Sequence, residues 1–235
     1  FGDIKAIENN ISSKTAAIML EPMQYEAGIR IADEHYLKEI RDLCDTYGIL
    51  FILDEIKTGL GKTGLMFCCN HFGVSPDILV IGKALGGGLI PIGAIISGRN
   101  IWKKFSLSFP MAASSFGGNI LACRALLSTI EVIQQDKLVA ACMRKGHYLF
   151  AELNTIVHRY PKILQNIKGL GLLLGLKFRD SKTAFEVVKK MIQDGILLLP
   201  AYGDNKTIMI EPPFVITNKQ IHEVVNNFDK ICRNI

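Results

Sequence analysis

At 235 residues the chain can hold one large or two modest domains with ample material for a core. Hydrophobic residues make up 49% and charged ones 21%, and the net charge of +5 is scattered without a basic block, so nucleic-acid and membrane-surface binding have no support. No apolar run approaches the ~20 residues needed to span a bilayer. Six cysteines lack metal-ligand spacing, and the adjacent Cys68-Cys69 pair argues against a disulfide framework, so a reducing, cytoplasmic compartment is expected.

The chain opens on Phe1-Gly2-Asp3 without an initiator Met, which gives the expectation of a fragment or a processed chain. Residues 13–20 read as a strand that Pro22 ends, followed by Gly28 as a turn residue. A helix is expected over 33–47, with Tyr36, Leu37, Ile40 and Leu43 at helical spacing and Gly48 just past its end. The apolar runs 49–53, 78–82 and 91–97 read as buried strands of a mostly parallel sheet. Small residues at 113–119 lead into a helix over 120–135, and a second long helix runs from about 138 to 160, where Pro161 stops it. Beyond it the pattern predicts a strand over 169–178, a helix over 183–194, short strands at 196–199 and 207–211, and a terminal helix over 217–231. Thr217 and Gln220 make a capping box for the last helix.

Two of these strands end in chemistry. Leu50-Phe51-Ile52-Leu53 runs into Asp54-Glu55, and Ile78-Leu79-Val80-Ile81-Gly82 runs into Lys83. In open α/β sheets, ligands bind outside the carboxyl ends of the strands. A carboxylate and an amine delivered together to that edge suit pyridoxal phosphate, which a lysine holds as a Schiff base while a carboxylate keeps its pyridine nitrogen protonated. Taken singly, Asp54 could be a cap and Lys83 a solvated loop residue.

The frames around both residues sharpen the reading. The segment Leu53-Asp54-Glu55-Ile56-Lys57-Thr58-Gly59-Leu60-Gly61-Lys62-Thr63-Gly64 resembles the "DEVQTGxGRTG" signature of the class III aminotransferases of the ornithine, acetylornithine and putrescine type. Gly82-Lys83-Ala84-Leu85-Gly86-Gly87-Gly88 is similar to the family's lysine motif. Ser114-Ser115-Phe116-Gly117-Gly118-Asn119 is similar to "STFGGN", in which a hydroxyl binds the cofactor phosphate of the neighbouring subunit. Ser115 stands at that position, with an N-cap as its alternative role. Glu21-Pro22-Met23-Gln24-Tyr25-Glu26-Ala27-Gly28 resembles "EPxQGEGG", whose second Glu lies in the substrate pocket, and so points to Glu26.

The resemblance spans the whole chain but only the C-terminal half or so of a family member. It implies an α/β, fold-type-I architecture: part of the large cofactor-binding domain at 1–123 and a small C-terminal domain at 124–235. It also implies a homodimer, with Lys83 as the catalytic amine and Asp54, Ile56, Lys57 and Ser115 as cofactor contacts. The implied substrates are an amine and a 2-oxo acid. Three positions depart from the pattern. Lys57 replaces a Gln that faces the cofactor's phenolic oxygen, Lys62 replaces an Arg, and Met209 replaces the Arg of the late "RxxPP" motif. Without that Arg, Glu26 is left to attract the distal ammonium of a diamine such as putrescine. The two residues Leu89-Ile90 between Gly88 and Pro91, and Ile210-Glu211-Pro212-Pro213, look like the putrescine-type branch as well. An ornithine- or acetylornithine-type enzyme, another use of the same cofactor, and a non-catalytic structural partner remain as alternatives.

Overall fold

The computed structural model describes residues 1–106 and 114–235. In chain order its first elements are α1 (Ile4–Glu8), β1 (Ala17–Leu20), β2 (Met23–Gln24), β3 (Arg30–Ile31), α2 (Tyr36–Tyr47), β4 (Leu50–Asp54), β5 (Ile78–Ile81), β6 (Ala94–Ser97) and α3 (Arg99–Ser106). They are followed by α4 (Ile120–Gln135), α5 (Leu138–Arg159), β7 (Leu164–Leu170), β8 (Leu173–Phe178), α6 (Ser181–Gln193), β9 (Leu199–Ala201), β10 (Asp204–Ile210) and α7 (Asn218–Arg233). Two compact units result. The first comprises Phe1–Pro22, Ala32–Leu60 and Phe67–Asp136, and the second Met23–Ile31, Gly61–Met66 and Lys137–Ile235. This division departs from a boundary at 123/124. α4 packs on the turn that follows β5 and so stays with the first unit, while two short stretches of the N-terminal half join the second.

The first unit is built on a sheet of order β1-β4-β5-β6. β1, β4 and β5 run parallel, with Ala17 opposite Leu50 and Asp54 opposite Val80, and β6 closes the edge antiparallel. β4 buries Phe51 and Leu53. α2 turns Tyr36, Leu37, Ile40 and Cys44 inward at the 3–4 spacing of a helix face. It stops at Gly48, whose φ of 65° is the left-handed conformation that a helix end favours. The helix starts at Tyr36 and not at Asp33, because Asp33 Oδ1 accepts the His35 N–H in a local turn. Residues 13–16 likewise stay out of β1: the Ser12 N–H donates to Thr15 Oγ1 and the Thr15 N–H to the Ser12 carbonyl. Asp77 Oδ2 accepts both the Phe51 N–H and Arg41 Nη1, each at 2.8 Å, and so ties α2 to β4 at the entrance to β5.

The second unit is an antiparallel sheet of order β7-β8-β10-β9, with α5 and α6 packed on it and α7 packed against those two helices. Leu149, Leu153, Leu176, Phe178, Val187, Ile208 and Phe228 form the centre of its core. The apolar stretch expected as one strand over 169–178 is a hairpin. Gly171 sits at φ 56° and turns the chain between Leu170 and Leu173, which then pair across β7 and β8. Of the strand expected at 196–199, only Leu199 enters β9. α7 carries the expected capping box: the Gln220 side chain accepts the Thr217 N–H at 2.9 Å, and Thr217 Oγ1 accepts the Gln220 N–H.

Gly146 lets α5 approach that hairpin turn. A Cβ on Gly146 would stand 2.2 Å from the Gly171 carbonyl oxygen, so backbone would have to move. Gly146→Ala is therefore expected to destabilise the protein by about 1–3 kcal/mol through overpacking. Chemical denaturation checks this, and a loss below about 0.5 kcal/mol, the range of an innocuous surface change, would contradict the close packing.

Candidate active site

Asp54 is the last residue of β4, and Lys83 stands two residues past the end of β5, the parallel neighbour. The sheet thus places the carboxylate and the amine at one edge, beyond the carboxyl ends of adjacent strands. Asp54 is half-buried, and its Oδ1 accepts the Ile56 N–H at 2.9 Å, which fixes the direction of the carboxylate. Lys83 is exposed and opens a 3-10 turn, Lys83–Gly86, closed by the Leu85 N–H on the Gly82 carbonyl. Its φ is 49°. A non-glycine residue in the left-handed region costs roughly 1–2 kcal/mol. The turn accepts that cost at Lys83.

Ile56 lies over the peptide before Lys83: a Cβ on Gly82 would meet Ile56 Cγ2 at 3.6 Å, ordinary van der Waals contact. On the far side of the turn, α4 comes close enough that a Cβ on Gly87 would stand 2.8 Å from Thr129 Oγ1. Lys57 is half-buried in the turn after Asp54. Ser115 is exposed in the turn before α4, and Asn119, not Ser115, caps that helix, accepting the Ala122 N–H at 3.1 Å. Ala112 and Ala113, which the family resemblance implies sit beside it at a subunit contact, lie outside the described residues.

Glu26 and Met209 belong to the second unit. Glu26 is exposed in the β2–β3 connection, and its carbonyl accepts the Gly203 N–H at 2.8 Å. The connection is held from below by Tyr25 and Ile29, both fully buried, with Ile29 in the left-handed region at φ 56°. Met209, 8% exposed in β10, lines a cavity of about 600 Å3 together with Leu199, Glu211, Pro212 and Glu223. The Tyr25 phenol is pushed above its ordinary value by burial, then by the charges of Glu211 and Glu26, so both carboxylates act on one hydroxyl. The sequence reading did not single out Glu211 as a site residue. The alternation of β10 was the available signal, because it continues from Met209 to Glu211 on one side of the strand. Two lysines pin the segment that follows. Lys62 donates to the Pro212 carbonyl and stands 5.2 Å from the Phe214 ring centre, and Lys145 donates to the Phe214 carbonyl at 2.7 Å. Lys62, in place of the family Arg, thus reaches the Pro212 carbonyl and the Phe214 ring.

A parallel α/β sheet that presents a carboxylate and an amine on neighbouring strand ends is the framework of a fold-type-I pyridoxal-phosphate enzyme. The chain belongs to the class-III aminotransferase family, whose sequence profile, described as Aminotransferase class-III, matches residues 2–232. It is 39% identical over 239 residues to the acetylornithine aminotransferase of Methanocaldococcus jannaschii, covering all of this chain and 57% of that protein. It is 37% identical over 241 residues to the putrescine aminotransferase of Pectobacterium atrosepticum, covering all of this chain and 52% of the relative. Among solved structures, the acetylornithine aminotransferase from Elizabethkingia anophelis superimposes with a TM-score of 0.91 at 33% identity, over 100% of this chain and 59% of the other. An ornithine aminotransferase from Toxoplasma gondii gives 0.92 at 31% identity, over 100% and 55%. The chain therefore spans about half the length of the curated relatives it matches.

Class-III aminotransferases are pyridoxal-phosphate-dependent transferases. The residues of the first unit fit that group. Lys83 offers an exposed primary amine, Asp54 a carboxylate with one oxygen already oriented, and Ile56 an apolar side chain against Gly82. No described helix is long and apolar enough to cross a membrane.

Proposed function

We propose that the protein to which this chain contributes transfers an amino group from a diamine of the putrescine type to a 2-oxo acid. The observation that carries the chemistry is the placement of Asp54 and Lys83 on adjacent parallel strand ends. Lys83 would hold pyridoxal phosphate through its amine, Asp54 would face the ring nitrogen, Ile56 the ring, Lys57 the phenolic oxygen, and Ser115 the phosphate of a neighbouring subunit's cofactor. When bound, the cofactor supplies an electron sink for the carbon that loses its proton. Lys83 Nζ would take and return that proton. Asn119 caps α4, which leaves the Ser115 hydroxyl for the phosphate role. On this reading the first unit is part of the large cofactor-binding domain and the second contains the small domain.

The donor assignment rests on Glu26, Glu211 and Met209. By the family resemblance Glu26 would lie in the donor pocket, Glu211 acts with it on Tyr25, and Met209 brings no positive charge. A carboxylate ~4 Å from a substrate ammonium, at an effective dielectric near 20, gains up to about 4 kcal/mol before desolvation. The same carboxylate repels an α-carboxylate. Glu26→Gln in the full-length enzyme should therefore lower kcat/KM for putrescine by roughly 10-fold or more and raise the relative rate with ornithine. The competing reading, an acetylornithine- or ornithine-type donor, is favoured by the 39% identity to the acetylornithine relative. Donor profiling decides: if ornithine or acetylornithine outruns putrescine, or if Glu26→Gln leaves the diamine rate unchanged, the diamine assignment fails.

The assembly is proposed as a homodimer in the cytoplasm. Phe116 is 83% exposed beside Ile120 and Leu121, an apolar surface that a second subunit would cover. All six cysteines are free, which agrees with a reducing compartment. Light scattering of the full-length protein is expected to give a dimer or larger, and a fully active monomer would refute the pairing.

A further inference from the structure

Two consecutive carboxylates end β4, and they have opposite environments. Asp54 is half-buried at the strand edge, whereas Glu55 is 1% exposed. The Glu55 carboxylate accepts the Cys68 N–H at 2.5 Å, the Cys69 N–H at 2.8 Å and the Thr58 hydroxyl at 3.1 Å. Its own N–H donates to the Val80 carbonyl at 2.9 Å, and its carbonyl accepts the Gly59 N–H. One residue therefore joins four pieces of chain: the end of β4, the strand that leads to Lys83, the turn through Gly59, and the 3-10 turn Cys68–Phe72. Burial of an unpaired carboxylate is costly, and three donors offset that cost only while all of them stay in place. Burial, and then Glu55 beside it, push the Cys69 thiol up to about 12, so the neighbouring sulfur stays protonated and does not add a second charge.

The peptide between Asp54 and Glu55 is thereby held from its Glu55 side. Its N–H is bound to β5, and the side chain one atom further on is anchored in three directions. Rotation of that peptide is the motion that would swing the Asp54 carboxylate away from the strand edge. We infer that Glu55 is a positioning residue that holds Asp54 in line with the cofactor's ring nitrogen. The inference rests on the pyridoxal-phosphate reading of Asp54.

The test is a double-mutant cycle in the full-length apoenzyme, titrated with pyridoxal phosphate by equilibrium dialysis. Glu55→Gln keeps the volume but turns an amide N–H toward peptide N–H groups, and it should weaken cofactor binding about 10-fold. Asp54→Asn should weaken it at least as much, and the double variant no further than Asp54→Asn alone, because residues that act through one contact are not additive. In Glu55→Gln holoenzyme, the pH midpoint of the bound cofactor's visible absorption should move in the same direction as in Asp54→Asn. Additive losses, or a lower apoprotein melting temperature with unchanged cofactor affinity, would overturn the positioning role and leave the cofactor reading standing. If Asp54→Asn binds the cofactor as tightly as wild type, that reading itself fails and the inference with it. Should Glu55→Gln not fold, Thr58→Val removes one donor at nearly constant volume and enters the same cycle.

Discussion

Lys83→Ala is expected to abolish borohydride-reducible attachment of pyridoxal phosphate and to lower turnover by about 10⁴-fold or more, since in the proposed function one amine would serve as both covalent anchor and proton carrier. The fold should survive the change. Lys83 is exposed, and alanine meets no more backbone strain at φ 49° than lysine does. Its apoprotein stability should therefore stay within about 0.5 kcal/mol of wild type, as for a surface substitution. Peptide mapping after reduction separates this outcome from the alternatives. A label found on Lys57 would reassign the anchor. A wild-type chain that takes no label in the full-length protein would favour a structural partner over an enzyme.

Asp54→Asn is expected to cost about 10²–10³-fold in turnover, the usual effect of removing one preorganised electrostatic partner from an active site. Asparagine can accept the same Ile56 N–H, so the local turn should persist while the negative charge is lost. The loss should therefore appear in kcat and in cofactor affinity, with a melting temperature near that of wild type. A variant with normal turnover would remove Asp54 from the chemistry and leave it as the end of β4.

How much of this was legible in the sequence follows from the range of each interaction. The runs ending in Asp54 and Lys83 could be read because a strand covered on both faces must be apolar throughout, and the first polar residue marks its end. The parallel pairing of β1, β4 and β5, the ends of α4 and the Thr217 capping box followed from local pattern. The β7–β8 hairpin did not, because its turn residue Gly171 sits within an unbroken Gly/Leu run where period and composition are silent. Glu55 was equally hidden, since two of its partners are peptide N–H groups 13 and 14 residues away that carry no side-chain signature. The expected boundary at 123/124 differs from the division into compact units for a related reason. α4 reads as the start of a helical C-terminal half, and only its contact with the Lys83 turn shows where it packs.

The composition of the second unit also constrains how the chain can be made. Met23–Ile31 and Gly61–Met66 pack with Lys137–Ile235, so their partners leave the ribosome more than a hundred residues after Ile29 does. Ile29 must wait for Gly175, where a Cβ would stand 2.3 Å from Ile29 Cγ1. At 5–20 residues per second that interval is on the order of 10 s. During it Met23, Tyr25 and Ile29, all fully buried in the finished structure, have no core to enter. The nascent segment that carries Glu26 therefore holds three uncovered apolar side chains until β7 and β8 are synthesised.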